Sequence, residues 1–338
     1  MKHIVLALDS SAVGGIETHV LTLAEALVSR GLRTTILRLA DHGPHPMDAL
    51  AAGRGLALRV LSREAGHLSR WLKDNGATLL HTHGYKAGVL GRITRPLHRL
   101  PVVSTFHNGD RGTGRLAAYT ALDRLTARAS RNIAVSSQIA AGLPGPVTVI
   151  DNFVALPDSD GSEGGRRIGF VGRLSHEKGP SLFAALAVMQ PRLPFVMFGD
   201  GPMMGEMDRA RPANLTLAGA VPCMRAHWRS IGLLVMPSRQ EGLPMAALEA
   251  MSHGIPVAAF DVGGLPKLIA HRRNGYLAAA GDVQALSDAI AEHAALPEQR
   301  SSRMRQAARE TIAARYCSRA RLDDVLAVYA TAGRSGGS

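Results

Sequence analysis

"SRQEGLPMAALEAMSHG" (Ser238–Gly254) follows the apolar run "IGLLVM" (Ile231–Met236), and its reading decides the fold. The apolar run is short and bounded by turn residues, as a strand buried on both faces is. Pro244 has the fixed φ suited to a first helical position, so the spacing predicts a helix opening there. The next amides, Met245 and Ala246, lack acceptors inside that helix, which makes its start an anion site. Glu241 then lies in the glycine loop before the helix. Glu249 lies inside it, about 7 Å further along the axis at roughly 1.5 Å per residue. Two carboxylates beside a phosphate would repel it unless they accept hydrogen bonds from hydroxyls, as a sugar or ribose diol offers. The simpler alternative is a surface glutamate plus a partner for the helix dipole. Glu249 fits that alternative less well, because Leu248, Ala250 and Met251 flank it.

Working outward, strand and helix patterns alternate twice along the chain. "KHIVLAL" opens the first half, followed by Gly14-Gly15 and the helical "IETHVLTLAEALVSRG", which Gly31 ends. "RTTILRL", "ATLLHTH", "PVVSTFH", "NIAVSS" and "PVTVI" read as further strands. A second start comes at "RRIGFVG", with the loop "RLSHEKG" and a helix opening on Pro180. "PFVMFG", "NLTLAG", "GLLVMP", "IPVAAF" and "NGYLAA" follow as strands. The polar, glycine-rich "ALPDSDGSEGG" between the halves reads as a linker. This is an α/β chain of two Rossmann-like, doubly wound parallel-sheet domains. We place the first at 1–154, the linker at 155–165 and the second at 166–317. A C-terminal helix at 318–333 is expected to cross back to the first domain, and a ligand cleft is expected between the domains.

The charge is uneven. Residues 1–150 hold 18 Lys+Arg and 9 Asp+Glu, or +9, and the remaining 21 basic and 18 acidic residues give +3. A basic half suits an anionic partner, whether phosphates, nucleic acid or a lipid surface; a solvated basic face is the plain alternative. With aromatics at 4% and no aromatic-rich binding stretch, nucleic acid is not expected. "YKAGVLGRITRPLHR" and "GRLAAYTALDRLTARASR" are basic and partly amphipathic, which marks them as candidates for a peripheral membrane contact. Cys223 and Cys317 lack metal-ligand spacing and suit a reducing compartment. The start "MKHIVLALDSS" is no signal peptide, and no apolar run is long enough to span a bilayer. A cytoplasmic protein is expected.

The loops supply the remaining candidates. "GRLSHEKG" (Gly172–Gly179) sets Arg173 and Lys178 in the first strand-to-helix loop of the second domain, where a fork and a point charge suit a diphosphate. Lys178 is one of five lysines against 34 arginines, which hints that its shape matters. "GGIE" (Gly14–Glu17) would let backbone approach a ligand at a helix start, although tight turns use Gly-Gly as well. "FGDGP" reads as a turn. His81, His83 and His107 end strands, and His107 is the candidate for a role in the cleft. No acidic group with metal spacing accompanies them, and no GxGxxG follows either opening strand, so neither a metal nor a dinucleotide cofactor is expected.

Taken in order, "GGIE", "HTHG", "FVGRLSHEKG", "FGDGP" and "EGLPMAALEAMSHGIPVAAFDVGG" resemble the retaining glycosyltransferases of family 4, with the GT-B fold. The Glu-x7-Glu stretch with its upstream Arg and Lys is the specific part. The resemblance implies a UDP-sugar or GDP-sugar donor, with UDP favoured, bound by the second domain. Arg173 and Lys178 would hold the diphosphate, helped by amides near Gly242, Leu243 and Met245. Glu249 would accept from the ribose, Glu241 from the donor sugar, and backbone near Val221 would meet the base. Gly14, Gly15 and His107 would approach the donor from the first domain, which otherwise receives a glycan, lipid-linked or small-molecule acceptor. The chemistry implied is metal-independent transfer of a hexosyl unit, of the kind used in bacterial polysaccharide biosynthesis. The family usually carries Glu after "GG-x-P", where this chain has Lys267. The alternative is a nucleotide-sugar epimerase on the same fold.

Overall fold

A computed structural model describes residues 2–11, 13–61, 65–107, 114–157 and 165–334. The chain divides into two compact units, residues 1–153 with 318–338, and 154–317.

The first unit holds a seven-stranded parallel sheet in the order β3-β2-β1-β4-β5-β6-β7. Its strands are β1 (His3–Leu8), β2 (Arg33–Arg38), β3 (Ala57–Val60), β4 (Leu79–His83), β5 (Val102–Phe106), β6 (Arg131–Ala134) and β7 (Val147–Val149). The helices between them are α1 (Gly15–Ser29), α2 (Pro46–Gly53), α3 (Ala65–Asp74), α4 (Tyr85–Ile93), α5 (Arg95–His98), α6 (Arg115–Thr126) and α7 (Ser137–Ala141). β1, β4 and β5 are buried along their whole length, which is why they read as unbroken apolar runs. β3, with its four residues "ALRV" mostly exposed, is an edge strand that sequence reading missed.

The second unit repeats the plan with six parallel strands in the order β10-β9-β8-β11-β12-β13. These are β8 (Arg167–Val171), β9 (Phe195–Phe198), β10 (Leu215–Gly219), β11 (Ile231–Met236), β12 (Val257–Phe260) and β13 (Gly275–Ala278). Around them run α8 (Pro180–Met189), α9 (Met204–Arg209), α10 (Met245–Ser252), α11 (Leu265–Leu268), α12 (Val283–Ala294) and α13 (Glu298–Arg315). The chain then enters α14 (Ser318–Arg334), which belongs to the first unit. There Leu322, Val325, Val328 and Tyr329 join the core built on β1, β4 and α1. Most of the expected linker, residues 158–164, lies outside the described residues, as does the tail beyond Arg334.

In both sheets the strand order reverses once, between β1 and β4 and between β8 and β11. Loops leaving the carboxyl ends of such neighbours diverge to opposite faces and leave a crevice for a ligand. Gly14-Gly15 and His83-Gly84 follow one pair; "GRLSHEKG" and "SRQEGLP" follow the other.

Candidate functional site

In the second unit, the loop after β8 and the loop after β11 are tied to each other. The Lys178 ammonium donates to both oxygens of Glu241, at 2.8 and 2.7 Å. The Glu241 side chain is 3% exposed and that of Lys178 30%. Arg239 adds two bonds, its amide to the carbonyl of Glu177 (2.8 Å) and its guanidinium to that of His176 (2.7 Å). Gly179 has φ +71°, and a Cβ there would stand 2.3 Å from the Pro237 carbonyl oxygen. The glycine is thus required by a close backbone approach as well as by its conformation.

The neighbouring loops lock in the same way. A Cβ on Gly199 would lie 1.8 Å from the Gly172 oxygen, and one on Gly201 2.5 Å from the Leu174 oxygen. "FGDGP" is therefore more than a turn, because it seats the loop that carries Arg173 and Lys178. In "DVGG", a Cβ on Gly263 would lie 1.9 Å from the Glu241 oxygen, and the Gly264 amide donates to the Gly242 carbonyl at 2.8 Å.

The remaining candidates of this unit are placed as follows. Arg173 is exposed in the loop after β8. Glu177 beside it is held below the usual carboxylate range, chiefly by the Ser175 hydroxyl, which donates at 2.6 Å. Leu243 and Met245 are buried, Gly242 is exposed, and Glu249 is half-buried on α10 with Leu248 and Ala250 fully buried beside it. Val221, two residues after β10, is half-buried against the core. One expectation is corrected. Pro244 is the N-cap, with extended ψ of 131°, and Met245 opens the helix. The proline cannot donate, and residues before a helix take extended backbone, so it serves one position earlier than expected. A cavity of about 320 Å³ opens beside Ser238 and Arg239, between Leu182, Phe260 and Gly281, and neither Lys178 nor Glu241 lines it.

In the first unit, Gly14 is the N-cap of α1 and Gly15 its first residue. Glu17 folds back, and its carboxylate accepts from the Gly14 amide at 2.7 Å. That amide is therefore already engaged, by an acid in the same "GGIE" motif. His107 meets His83, Nε2 to Nδ1 at 3.1 Å, and His19 on α1 packs its ring 4.9 Å from that of His107. His81 pairs with the Tyr329 hydroxyl and with the Thr105 hydroxyl, both at 2.7 Å. Burial away from water pushes His19 down to about 4 and His81 to about 3, and it holds His83 and His107 well below the usual imidazole range. These are neutral rings at the switch point of the sheet. Among the described residues, His19 Nδ1 and His83 Nε2 are buried without a hydrogen-bond partner.

Comparison with known proteins accounts for both halves. The model described as Glycosyltransferase Family 4 matches residues 13–156, and that described as Glycosyl transferases group 1 matches residues 165–295. The chain belongs to glycosyltransferase family 4. This glycosyltransferase is 26% identical to 2-deoxystreptamine N-acetyl-D-glucosaminyltransferase of Streptomyces fradiae, over 84% of this chain and 83% of that one. It is 36% identical to 2-deoxystreptamine glucosyltransferase of Streptomyces kanamyceticus over a stretch covering 46% of this chain and 42% of that one. Among solved structures it superposes on Anabaena HepE, crystallised with UDP-glucose, with a TM-score of 0.79 at 20% identity, covering 98% of this chain and 100% of that one. That likeness is one of fold, and the fold is GT-B.

Several residues of the glycosyltransferase's candidate site escaped sequence reading. His19 sits mid-helix among apolar residues, so nothing along the chain ties it to His83 or His107. Arg239 lies two residues before Glu241, and only the fold reveals that it holds the opposite loop. His19, His83 and His107 each offer a ring nitrogen, all within 4.8 Å of one another, a donor set that zinc can use. His83 and His107 already spend a nitrogen on each other, however, and no carboxylate belongs to the group.

Proposed function

We propose that this glycosyltransferase moves a hexosyl unit from a UDP-sugar, with retention at the anomeric carbon, to a hydroxyl of a glycan, lipid-linked or small-molecule acceptor. The observation that carries the reading is the Lys178–Glu241 pair at the switch point of the second sheet. A cation and a buried carboxylate facing each other are the groups a sugar diphosphate can separate. The diphosphate takes the ammonium of Lys178, and sugar hydroxyls donate to Glu241. Positive charge from Lys178 and Arg173, with the amides at the start of α10, then stabilises the departing diphosphate more than the bound donor. Glu249 accepts from the ribose, and the backbone near Val221 meets the base. Cationic side chains meet the charge, so no metal is required. The relatives named for transfer to 2-deoxystreptamine and to GlcNAc-diphosphoundecaprenol support transfer over epimerisation.

A panel of UDP- and GDP-sugars, read by nucleotide release with and without acceptors, tests this. Acceptor-dependent release of UDP, with an α-linked product from an α-linked donor, is expected. Release of GDP alone would overturn the donor assignment, and epimerised donor without acceptor would overturn transfer. Activity should survive EDTA. If chelation abolishes it and Mg²⁺ or Mn²⁺ restores it, the cationic account of the leaving group is wrong.

A further inference from the structure

Helices α4, α5 and α6 leave one apolar face uncovered. Ile93 (56% exposed), Leu97 (52%), Tyr119 (46%), Leu122 (40%) and Leu125 (75%) are half of the large apolar side chains exposed on the described surface. They fall at one level. The buried guanidinium of Arg92, on α4, donates to Asp123 and to the Thr126 hydroxyl of α6. Arg95, on α5, donates to the Ala129 carbonyl at 3.1 Å. Ile93 and Leu97 thus leave the chain beside the same anchors that Leu122 and Leu125 flank. Tyr119, Leu122 and Leu125 repeat every three residues and so form one stripe. The Tyr85 and Tyr119 rings join α4 to α6 again, 5.7 Å apart.

Along the segment that builds this face the charge is mostly of one sign, with Asp9 of the loop after β1 paired to Lys86 and exposed Asp74 on the neighbouring α3 as the acids from outside it. Residues 84–131 contain nine Lys or Arg and two Asp. Of the two, Asp123 is consumed by buried Arg92, and Asp110 lies outside the described residues. Arg99 and Arg128 are exposed, and among the described residues neither is ion-paired. A predominantly basic rim, with Arg99 and Arg128 exposed on it, around leucine, isoleucine and tyrosine matches a layer of phosphate headgroups over hydrocarbon. Among the described residues no helix is long and apolar enough to cross a membrane, so the contact is interfacial. We infer that the α4–α6 face docks on an anionic bilayer, with the apolar stripe entering the headgroup boundary and Arg99 and Arg128 meeting lipid phosphates. The inference stands apart from the proposed reaction and is tested without it.

The full chain is sedimented with vesicles of phosphatidylcholine alone and of phosphatidylcholine mixed with phosphatidylglycerol, at low and high salt. Binding to the anionic vesicles is expected, released by salt. Neutralising each arginine (Arg99→Ser, Arg128→Ser) should weaken it roughly fivefold, as follows from about 1 kcal/mol per basic residue at such a surface. Ile93→Asp with Leu125→Asp should abolish it, with an unchanged melting temperature showing that the fold persists. If that pair unfolds the protein, the arginine variants, which leave the apolar stripe intact, still decide. Equal binding to neutral vesicles, or wild-type binding by these variants, overturns the proposal. A dimer in sedimentation velocity that Leu125→Asp breaks, with no vesicle binding, also overturns it, because the occupant would then be a second copy of the chain.

Discussion

Lys178 and Glu241 neutralise each other before any donor arrives, and this changes what each substitution should do. Glu249 is not the partner of Lys178, so its loss acts on the nucleotide through the ribose. Glu249→Gln should weaken free UDP by about 1.5–3 kcal/mol, tenfold to over a hundredfold, as a lost charge-assisted hydrogen bond in a half-buried site does. Glu241→Gln removes the charge that competes with phosphate for Lys178. Free UDP should therefore bind as tightly as before or more tightly, while turnover and discrimination among donor sugars fall. Calorimetry with UDP and steady-state kinetics on both variants check this. Equal losses of UDP affinity would show that the two carboxylates do not divide ribose from sugar. The pair was half legible: Lys178 stands out as a lysine among arginines, and Glu241 as an acid in a glycine loop. That they hold each other depends on β8 and β11 being neighbours, which no local spacing states.

At the scale of elements, the site in the second unit is a set of loops pressed backbone to backbone at glycines. Gly199 sits at φ +141° and Gly263 at φ +59°, each with a carbonyl under 2 Å from where a Cβ would go. Alanine at either must move a loop, and left-handed backbone alone costs on the order of 1–3 kcal/mol for a residue with a side chain. Gly199→Ala and Gly263→Ala should each lower stability by at least that much and depress activity, through the seats of Gly172 and Glu241. Gly53→Ala, in α2 with open space around it, should be neutral or stabilising by about 0.5–1 kcal/mol. Urea melts of the three variants are the measurement. A Gly263→Ala melt matching Gly53→Ala would show that the loops are not locked there. Strands buried on both faces announced themselves as apolar runs, and helix stops at Gly31 and starts at Pro180 followed local backbone rules. β3 was lost because an exposed edge strand has no such run. The glycines of "FGDGP" and "DVGG" were visible, but their cause is a carbonyl from a distant loop.

At the scale of the whole molecule, the two units repeat one topology but differ in what their switch points contain: a carboxylate and an ammonium in one, neutral imidazoles in the other. The first unit is closed by α14, whose Tyr329 lies fully buried against His81. That closure keeps water from the histidines, and desolvation is the main reason they stay uncharged. The consequence for stability has a definite sign. In the unfolded chain each histidine titrates near 6.5, while in the folded unit His19 titrates at about 4 and His81 at about 3. Between those values the unfolded chain binds more protons, so acid favours unfolding; above pH 6.5 the effect vanishes. For a single group lowered from 6.5 to about 4, the loss by pH 5 is about 2 kcal/mol. The second unit carries His253, lowered to about 4, and His293, also lowered by burial, but among the described residues no comparable cluster. Acidification from pH 7 to 5 should therefore open the first unit before the second. Hydrogen exchange at both pH values resolves them: protection should fall in β1, β4 and β5 while β8, β11 and β12 hold. Equal loss in the two sheets would show that the buried imidazoles do not set the acid limit, and unchanged protection at pH 5 would show that they are not neutral by burial. Replacing Tyr329 by Phe keeps the packing of α14 but removes one hydrogen bond of His81. It should leave the pH 7 fold in place and carry the same acid weakness, because burial rather than that bond holds the ring uncharged.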